Sequence, residues 1–276
     1  ECRLRLAGAV AAGHIVEAVM GSIYDFPDVY DVVMHRAHGV LEAEVRSVQA
    51  LLARRGVTQG RILELACGAC VHGIPLAQAG CAVAGLDRSA AMIEAAARRA
   101  AAAGVSIELF QGDVIDFSLS TDPFDAAIFM FETFPVITEY ADLTSHFRAV
   151  RRHLKPGGLY IVDLDARTHG VGTESGEWGR KTIPLPNGSV ELWHEDFPGD
   201  WVRGTSHLVF HSRITLDGFV HETIDDWHLR VYSPWDLAVL VRTLEGWNLC
   251  GFYTWRDLSE DIANEAHYFM VLEASG

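Results

Sequence analysis

The segment between residues 61 and 78 constrains the fold more than any other part of the chain. It begins with an apolar run, Arg61-Ile-Leu-Glu-Leu-Ala66, passes through the small-residue turn Cys67-Gly-Ala-Cys-Val-His-Gly73, and ends in a short helical pattern. A brief apolar run bounded by glycine predicts a buried strand. Glycine in the following turn lets the backbone approach a ligand closely. The chain therefore contains a strand, turn and helix unit typical of parallel α/β sheets.

The same unit recurs along the chain. A second apolar run ends at Asp87, and Ser89 is positioned to cap an alanine-rich helix that extends to about Ala102. Further elements follow at a similar spacing, namely strands at 105–110, 124–129 and 158–164 and a helix at 139–154. Strands that alternate with helices predict a parallel sheet covered by helices on both faces.

The pattern changes after Asp165. Alternating polar and apolar residues, separated by Asn187-Gly and Asp217-Gly turn signals, predict antiparallel hairpins over 181–230. A helix at 234–244 and two strands, at 247–255 and 267–272, complete the chain. An amphipathic helix is predicted before the first strand, over 39–55.

Charge excludes some classes of partner. The chain has 22 Lys and Arg against 37 Asp and Glu, a formal net charge of -15. Such a charge repels phosphate backbones and anionic membranes, so we expect neither nucleic acid nor a membrane as partner. Five cysteines in 276 residues form no dense disulfide framework, which favours the reducing cytoplasm. The apolar residues 4–20 are too short to span a membrane, and a secretion signal or an upstream extension is the alternative there.

Four features in order resemble the class I S-adenosylmethionine-dependent methyltransferases. The first is Glu64 at the strand end, followed by the turn at Cys67-Gly68. Asp87 ends the second strand about 20 residues later, where an acidic side chain in this fold accepts hydrogen bonds from ribose hydroxyls. The third strand is followed by Gly112-Asp113-Val114, and Lys155-Pro-Gly-Gly158 precedes the fifth. The cofactor carries no phosphate, so a carboxylate beside the turn favours it over a dinucleotide.

The resemblance implies a fold and a cofactor site. The expected fold is α/β, a Rossmann-like seven-stranded sheet, mostly parallel with the last strand antiparallel, and an antiparallel β insertion after the fifth strand. The expected segments are an N-terminal lid and helix (1–56), a cofactor-binding core (57–165), a substrate-side insertion (166–232) and a C-terminal completion of the sheet (233–276). The expected cofactor residues are Tyr30, Arg36, Glu64, Ala66, Cys67, Gly68, Asp87, Arg88, Met92, Gly112, Asp113, Val114 and Met130.

One position departs from the family pattern. Cys70 stands where the family has the second glycine of the turn. A side chain there crowds the amino-acid end of the cofactor unless the backbone keeps a negative φ. The pair Cys67 and Cys70 also spells C-x-x-C, but one pair without further ligands rarely makes a zinc site, and we predict no metal.

The acceptor should lie beyond the carboxyl ends of the strands. Glu132 follows the fourth strand there and is our candidate to hold a cationic amine or accept its proton; helix capping or ion pairing is the alternative. Tyr30-Asp31 resembles the Tyr-Asp element of small-molecule N-methyltransferases, with Tyr24 competing for the role of Tyr30. Residues 228–232, His-Leu-Arg-Val-Tyr, resemble a stretch of the same relatives. The catalytic candidates are Glu132, Tyr30 and His228, and the substrate candidates are Glu132, Thr133, Trp193, His228, Arg230 and Tyr232.

The resulting prediction is a cytoplasmic biosynthetic transferase, a monomer or homodimer, that moves a methyl group to a small molecule. An amine nitrogen is the favoured acceptor, as in amino-sugar N,N-dimethyltransferases and glycine/sarcosine N-methyltransferases. Transfer to oxygen or carbon of a small natural product is the alternative within enzymes. A cofactor-binding module without catalysis is the alternative from another class.

Overall fold

The computed structural model describes residues 21–36, 41–165, 175–262 and 267–276. Within these residues the chain forms one sheet of seven strands and another of four. Among the helices described, none is long and apolar enough to cross a membrane.

The seven-stranded sheet has the strand order β10-β11-β5-β4-β1-β2-β3. Its strands are β1 (Arg61–Leu65), β2 (Ala82–Asp87), β3 (Ile107–Gln111), β4 (Phe124–Phe129), β5 (Leu154–Asp165), β10 (Trp247–Thr254) and β11 (His267–Ala274). Only β11 runs in the direction opposite to that of the other six strands, which confirms the predicted sheet. The central strands are apolar on both faces because helices cover both, as the full burial of Ile62 and Leu63 shows.

Six α-helices accompany the strands in the described residues: α1 (Pro27–Asp31), α2 (Leu41–Arg54), α3 (Gly73–Gln78), α4 (Ala90–Ala102), α5 (Tyr140–His153) and α6 (Pro234–Val241). Ser89 caps α4 as expected, since its side chain accepts a hydrogen bond from the Met92 N–H. Because each parallel strand ends at the same edge of the sheet, the turns after β1, β2, β3 and β4 meet there.

The four-stranded sheet is the antiparallel insertion expected after β5. It consists of β6 (Gly176–Leu185), β7 (Gly188–Asp200), β8 (Thr205–Leu216) and β9 (Phe219–Arg230), paired in chain order. The turn between β8 and β9 is Asp217-Gly218, with positive φ at both residues, as a tight two-residue hairpin requires. We call the face that carries Val190, Leu192 and Ile214 the inner face and the opposite one the outer face.

Residues 21–36, which we call the lid, pack against the inner face. They form a 3-10 turn (Ile23–Asp25), α1 and a π-helical turn (Val32–Arg36). Ile23, Val29 and Val33 are buried together with the apolar residues of the inner face. This burial joins the lid to the insertion, although about 200 residues separate them in sequence. The division at residues 57, 166 and 233 stays a prediction.

Candidate cofactor and acceptor site

Backbone strain marks the edge where the parallel strands end. Six non-glycine residues in the described part of the chain have φ in the left-handed region, and four lie just after β1 or β4. These four are Ala66 (φ 48°), Cys70 (φ 59°), Phe131 (φ 59°) and Glu132 (φ 50°). Such conformations cost about 1–3 kcal/mol each and persist where the surroundings impose them, often at functional sites.

Asp87 holds the turn after β1 in place. Its Oδ2 accepts a hydrogen bond from the Gly68 N–H at 2.8 Å, and its Oδ1 accepts one from the Ser89 N–H at 2.8 Å. Burial raises the pKa of this carboxyl above its usual range, and the two backbone donors oppose that rise. Each carboxylate oxygen has two lone pairs, so Asp87 can accept from a ligand as well.

Apolar side chains flank the same turn. Met92 is buried beside Gly68, and Val114 lies partly buried after β3. His146 fixes Val114: its Nδ1–H donates to the Val114 carbonyl at 2.7 Å, while its Nε2 accepts from the Tyr160 hydroxyl at 2.6 Å. Burial lowers the pKa of His146 to about 4, so the ring stays neutral and keeps both bonds.

The remaining predicted cofactor residues lie around this turn or outside the part of the chain that the structure describes. The exposed Asp113 caps its own loop by accepting from the Ile115 N–H at 2.8 Å, and the Gly112 N–H donates to the Asp87 carbonyl at 3.0 Å. The Arg88 carbonyl accepts from Gln111, and Met130 is buried at the end of β4. The side chain of Arg36 lies outside the described residues.

Glu64 is enclosed beneath the turn. Its Oε2 accepts from the Gly73 N–H at 2.9 Å and from the Cys70 thiol at 3.1 Å, and its Oε1 lies 3.4 Å from His72 Nδ1. His72 Nε2 in turn donates to Glu44 of α2 at 3.0 Å. Glu64 therefore supports the turn from below with its hydrogen-bonding capacity directed at protein groups.

Cys70 avoids the expected crowding in another way than by a negative φ. The residue adopts φ 59°, and its buried side chain packs with Cys67 and Ala96 instead of standing over the turn. Hydrogen bonding with Cys67, then burial and the Glu64 carboxylate, raises the pKa of the Cys70 thiol well above its usual range. The Cys70 side chain thus stays a thiol that donates a hydrogen bond to Glu64. Cys70 takes the position of the missing glycine, and its side chain does not enter the space above the turn.

His72 should make stability depend on pH. Burial lowers its pKa, but the bonds and charges of Glu44 and Glu64 outweigh burial and raise it from 6.5 to about 9. A raised folded-state pKa contributes stability that is complete below about pH 6.5 and lost as the pH rises through about 9. The shift corresponds to about 3 kcal/mol. We expect the unfolding temperature to fall over that window, measured by calorimetry.

A His72→Gln variant tests this expectation. Because glutamine has no titrating ring, the variant should be less stable below pH 6.5 and approach the parent protein above pH 9. His228→Gln, which alters an exposed histidine, is the control and should keep the parent slope. Equal slopes in the parent and in His72→Gln would refute the assignment.

The lid places two tyrosines over the turn after β1. Tyr24 and Tyr30 have ring centroids 5.1 Å apart and pack together against Ala69, Met92 and Ala95. Desolvation raises the pKa of both hydroxyls, and the charge of Asp87 adds to the rise, so both lie near that carboxylate. The two residues predicted as alternatives therefore form one pair.

Two charged side chains, Asp225 and Arg99, attach the lid to the rest of the protein. Asp225 of β9 accepts from the Ser22 hydroxyl at 2.5 Å and from the Ile23 N–H at 3.0 Å. Arg99 of α4 pairs with Asp28 at 3.2 Å and with Asp31 at 3.3 Å. Asp31, predicted only as the neighbour of Tyr30, thus ties α1 to α4.

Loosening the Asp225 contact should weaken cofactor binding. In Asp225→Asn one carboxylate oxygen becomes an NH2 group that cannot accept, so one lid bond is lost. A bond to a charged group contributes roughly 1.5–3 kcal/mol, and we expect a roughly 10-fold rise in the dissociation constant for the predicted cofactor, measured by calorimetry. Asp226→Asn, on the outer face next in sequence, should leave affinity unchanged. Unchanged affinity in Asp225→Asn would show that the lid plays no part in binding.

The turn after β4 carries the acceptor candidates. The Glu132 N–H donates to Asp163 Oδ2 at 3.3 Å. The Thr133 hydroxyl lies 3.1 Å from the Met130 carbonyl and 3.2 Å from that of Phe131, and this closes the turn. Thr133 therefore shapes the turn through its own backbone, and Glu132 lies at the strained edge that the sequence predicted.

Arg230 and Tyr232 join the insertion to this edge. Arg230 Nη1 donates to the Thr138 carbonyl at 2.8 Å, and the Tyr232 hydroxyl donates to the Ile137 carbonyl at 2.9 Å. Both bonds hold the segment that follows Glu132. We infer that these residues support the acceptor side, and their direct contact with a substrate stays a prediction.

Trp193 and His228 lie elsewhere. Side chains alternate between the two faces of a strand, and both residues fall on the outer face, away from the lid. Trp193 stacks on His211 with centroids 5.0 Å apart, and Arg180 lies 4.1 Å from its ring centre. His228 is exposed and stacks on His207 at 4.1 Å. Both residues therefore lie on the face opposite to the one that the lid covers, and their contact with a substrate stays a prediction.

Sequence reasoning missed four charged residues near the site: Glu44, Asp163, Asp225 and His267. Two of them carried a usable signal. Glu44 falls on the apolar face of α2, between Leu41 and Val48, and Asp163 interrupts the apolar strand β5. A charged residue on a buried face requires a partner, so either position could have been identified as part of a polar network.

Two groups of three ligating side chains converge within the described residues. They are His207, Asp226 and His228 on the outer face, and Glu44, Asp163 and His267 in the interior, with ligand atoms within 4.8 Å of one another. In the interior group His267 Nε2 lies 2.5 Å from Asp163 Oδ1. At that distance a hydrogen bond joins the two atoms, so they do not both face a metal ion. We assign no metal to either group.

Comparison with known proteins identifies the domain that holds the turn. Residues 62–158 match the methyltransferase domain family. A dTDP-4-amino-2,3,4,6-tetradeoxy-D-glucose N,N-dimethyltransferase of Saccharopolyspora spinosa is 34% identical over 149 residues, covering 53% of this chain and 57% of that protein. The chain spans about half the length of the curated relatives it matches. The predicted family is confirmed for this domain.

Solved structures extend the likeness to the whole fold. An S-adenosylmethionine-dependent methyltransferase from Clostridium acetobutylicum superposes with a TM-score of 0.74, at 17% identity over 91% of this chain and 98% of its own. An amino pentose methyltransferase from Micromonospora echinaspora, solved with S-adenosylmethionine bound, has a TM-score of 0.67 at 16% identity, over 90% and 97% of the two chains. At these identities the likeness establishes the fold.

Proposed function

Residues 62–158 form a methyltransferase domain of class I fold, and from this premise we propose that the chain transfers a methyl group from S-adenosylmethionine to an amine nitrogen of a small molecule. The observation that carries the proposal is the turn after β1: Asp87 anchors it, and the tyrosine pair of the lid covers it. The named activity of the Saccharopolyspora relative, N,N-dimethylation of an amino sugar nucleotide, supports a nitrogen acceptor.

The donor set fits the adenosine part of the cofactor. Asp87 offers carboxylate oxygens to a ribose diol, while Met92 and Val114 offer apolar surface to a flat base. Gly68 has φ 51° and leaves only the Met92 sulfur within 4 Å of a Cβ built on it, so its backbone is open to a close approach. The carboxylates of Glu64 and Asp87 also give the turn negative charge, which suits a cationic ligand.

Few catalytic groups are required because the bound cofactor supplies a methyl group already activated by a sulfonium. The protein aligns the acceptor with that methyl and excludes water. The lid tyrosines close the cofactor side, and Glu132 lies at the acceptor side. A carboxylate there can hold an ammonium group and take its proton before attack, since only the neutral amine has a lone pair.

Two measurements test the proposal. Calorimetry should detect binding of S-adenosylmethionine and of its demethylated product. Methyl-labelled cofactor is then incubated with a panel of nucleotide-linked amino sugars and matched sugars that carry hydroxyl in place of amine. Label in the amines alone supports the proposal, label only in hydroxyl or carbon products overturns the nitrogen assignment, and absent cofactor binding overturns the enzyme.

A further inference from the structure

A buried polar pair lies behind the acceptor turn. Asp163 is fully buried within β5, and His267 begins the neighbouring strand β11. His267 Nε2 lies 2.5 Å from Asp163 Oδ1, and the imidazole stacks on Trp255 with centroids 5.0 Å apart. The other carboxylate oxygen, Oδ2, accepts the Glu132 N–H at 3.3 Å. Asp163 thus connects the histidine to the backbone of the turn.

The turn requires such a connection. Phe131 and Glu132 both adopt left-handed φ, a costly conformation for two successive residues with side chains. The N–H of the second residue points into the interior, where Asp163 supplies the acceptor. Without that acceptor the strained turn would lose the bond that offsets part of its cost, and a relaxed backbone would move the Glu132 carboxylate.

The charge of His267 compensates that of Asp163. Burial lowers the pKa of His267, but the Asp163 hydrogen bond and the charges of Asp163, Glu132 and Glu44 outweigh burial and raise it. These carboxylates face the ring from β5, from the turn after β4 and from α2, and Trp255 and Phe269 enclose it on the apolar side. The imidazole therefore gives a fully buried carboxylate the hydrogen-bonded partner without which its burial would be costly.

A purely stabilising role does not account for this arrangement. Apolar residues of similar volume in place of a buried ion pair are often neutral or stabilising, so stability alone gives little reason for charge in the centre of a sheet. The pair lies instead directly behind the residue proposed to meet the acceptor. Resting on the proposed function, we propose that Asp163 and His267 are positioning residues. They hold the turn after β4, and with it the Glu132 carboxylate, in the place where that carboxylate can bind the acceptor amine.

The test compares two variants with a matched control. Asp163→Asn and His267→Gln alter the pair, whereas His207→Gln alters a second histidine and aspartate pair, on the outer face, with Asp226 at 2.8 Å. We expect the two former variants to lower kcat for an amine of the panel by roughly 10- to 100-fold, the usual effect of a misplaced group. The dissociation constant for S-adenosylmethionine should change less than about 3-fold. That change is smaller than the roughly 10-fold change expected when one hydrogen bond to the cofactor is lost. His207→Gln should match the parent protein in both.

A backbone signature separates positioning from general destabilisation. In a 15N-labelled protein, the amide resonance of Glu132 should shift in Asp163→Asn and in His267→Gln while those of β1 and β2 stay in place. Parent-like kcat in both variants, or equal losses of kcat, cofactor affinity and thermal stability, would overturn the proposal. If Asp163→Asn does not fold, His267→Gln decides. The amide shift is measured without a methyl acceptor. It therefore still tests the positioning role if the labelling experiment contradicts the proposed function.

Discussion

Replacement of Asp87 by asparagine is expected to weaken the binding of S-adenosylmethionine by about two orders of magnitude. Its carboxylate accepts hydrogen bonds from the Gly68 and Ser89 N–H groups, and in the function we propose it also accepts from the ribose hydroxyls of the cofactor. Asparagine presents an NH2 group in place of one oxygen, which removes an acceptor and opposes a donor. The loss of one or two bonds to a charged group amounts to roughly 1.5–3 kcal/mol each, or about 10- to 150-fold each in affinity.

Calorimetric titration with S-adenosylmethionine measures this change. Glu94→Gln is the matched control, because that residue lies on the exposed side of α4, the helix that follows Asp87. It should bind as the parent does. The unfolding temperature of Asp87→Asn should fall by no more than roughly 3–12 °C, the effect of one lost bond to a charged group, so that the variant is still folded during the titration. Affinity within 3-fold of the parent, about the effect of 0.7 kcal/mol, would remove Asp87 from the cofactor site.

Local patterns predicted the core sheet well because each of its signals is short in range. Strand β4 lies at the residues predicted, and the helix after Ser89 has the predicted cap and end. The apolar periodicity and the capping serine act within one or two turns of chain, so no knowledge of distant residues is needed. The acidic residue at the end of β2 follows in the same way from the order of strands.

The side of the insertion that faces the site could not be predicted. Trp193 and His228 are aromatic and lie in strands of the correct sheet, but a strand presents alternate residues to opposite faces. Which face packs on the lid depends on the contacts of Val190 and Ile214 with residues 21–36, and these contacts are distant in sequence. Neither the aromatic composition of the insertion nor the likeness of residues 228–232 to relatives could therefore show that Trp193 and His228 lie on the outer face.

The contacts that join the polar groups under the site could not be predicted, for a related reason. Glu44, His72 and Glu64 meet from α2, from the start of α3 and from β1, and no sequence spacing relates a helix before the sheet to a turn inside it. The same holds for the interior pair behind Glu132. At Cys70 the departure from glycine was visible in the sequence. Its structural effect was not, because it depends on the Glu64 carboxylate, which accepts a hydrogen bond from the thiol.

Glu132→Gln should leave cofactor affinity intact and lower kcat by about 100-fold, the lower range for loss of a group that accepts a proton. Glutamine keeps the size of the side chain and the backbone N–H bond to Asp163, but it cannot take the proton of an ammonium. Single-turnover release of S-adenosylhomocysteine measures the step. Glu139→Gln, exposed at the start of α5, should react as the parent does. Parent-like turnover in Glu132→Gln would limit this carboxylate to a structural role and require the acceptor to arrive as the free amine.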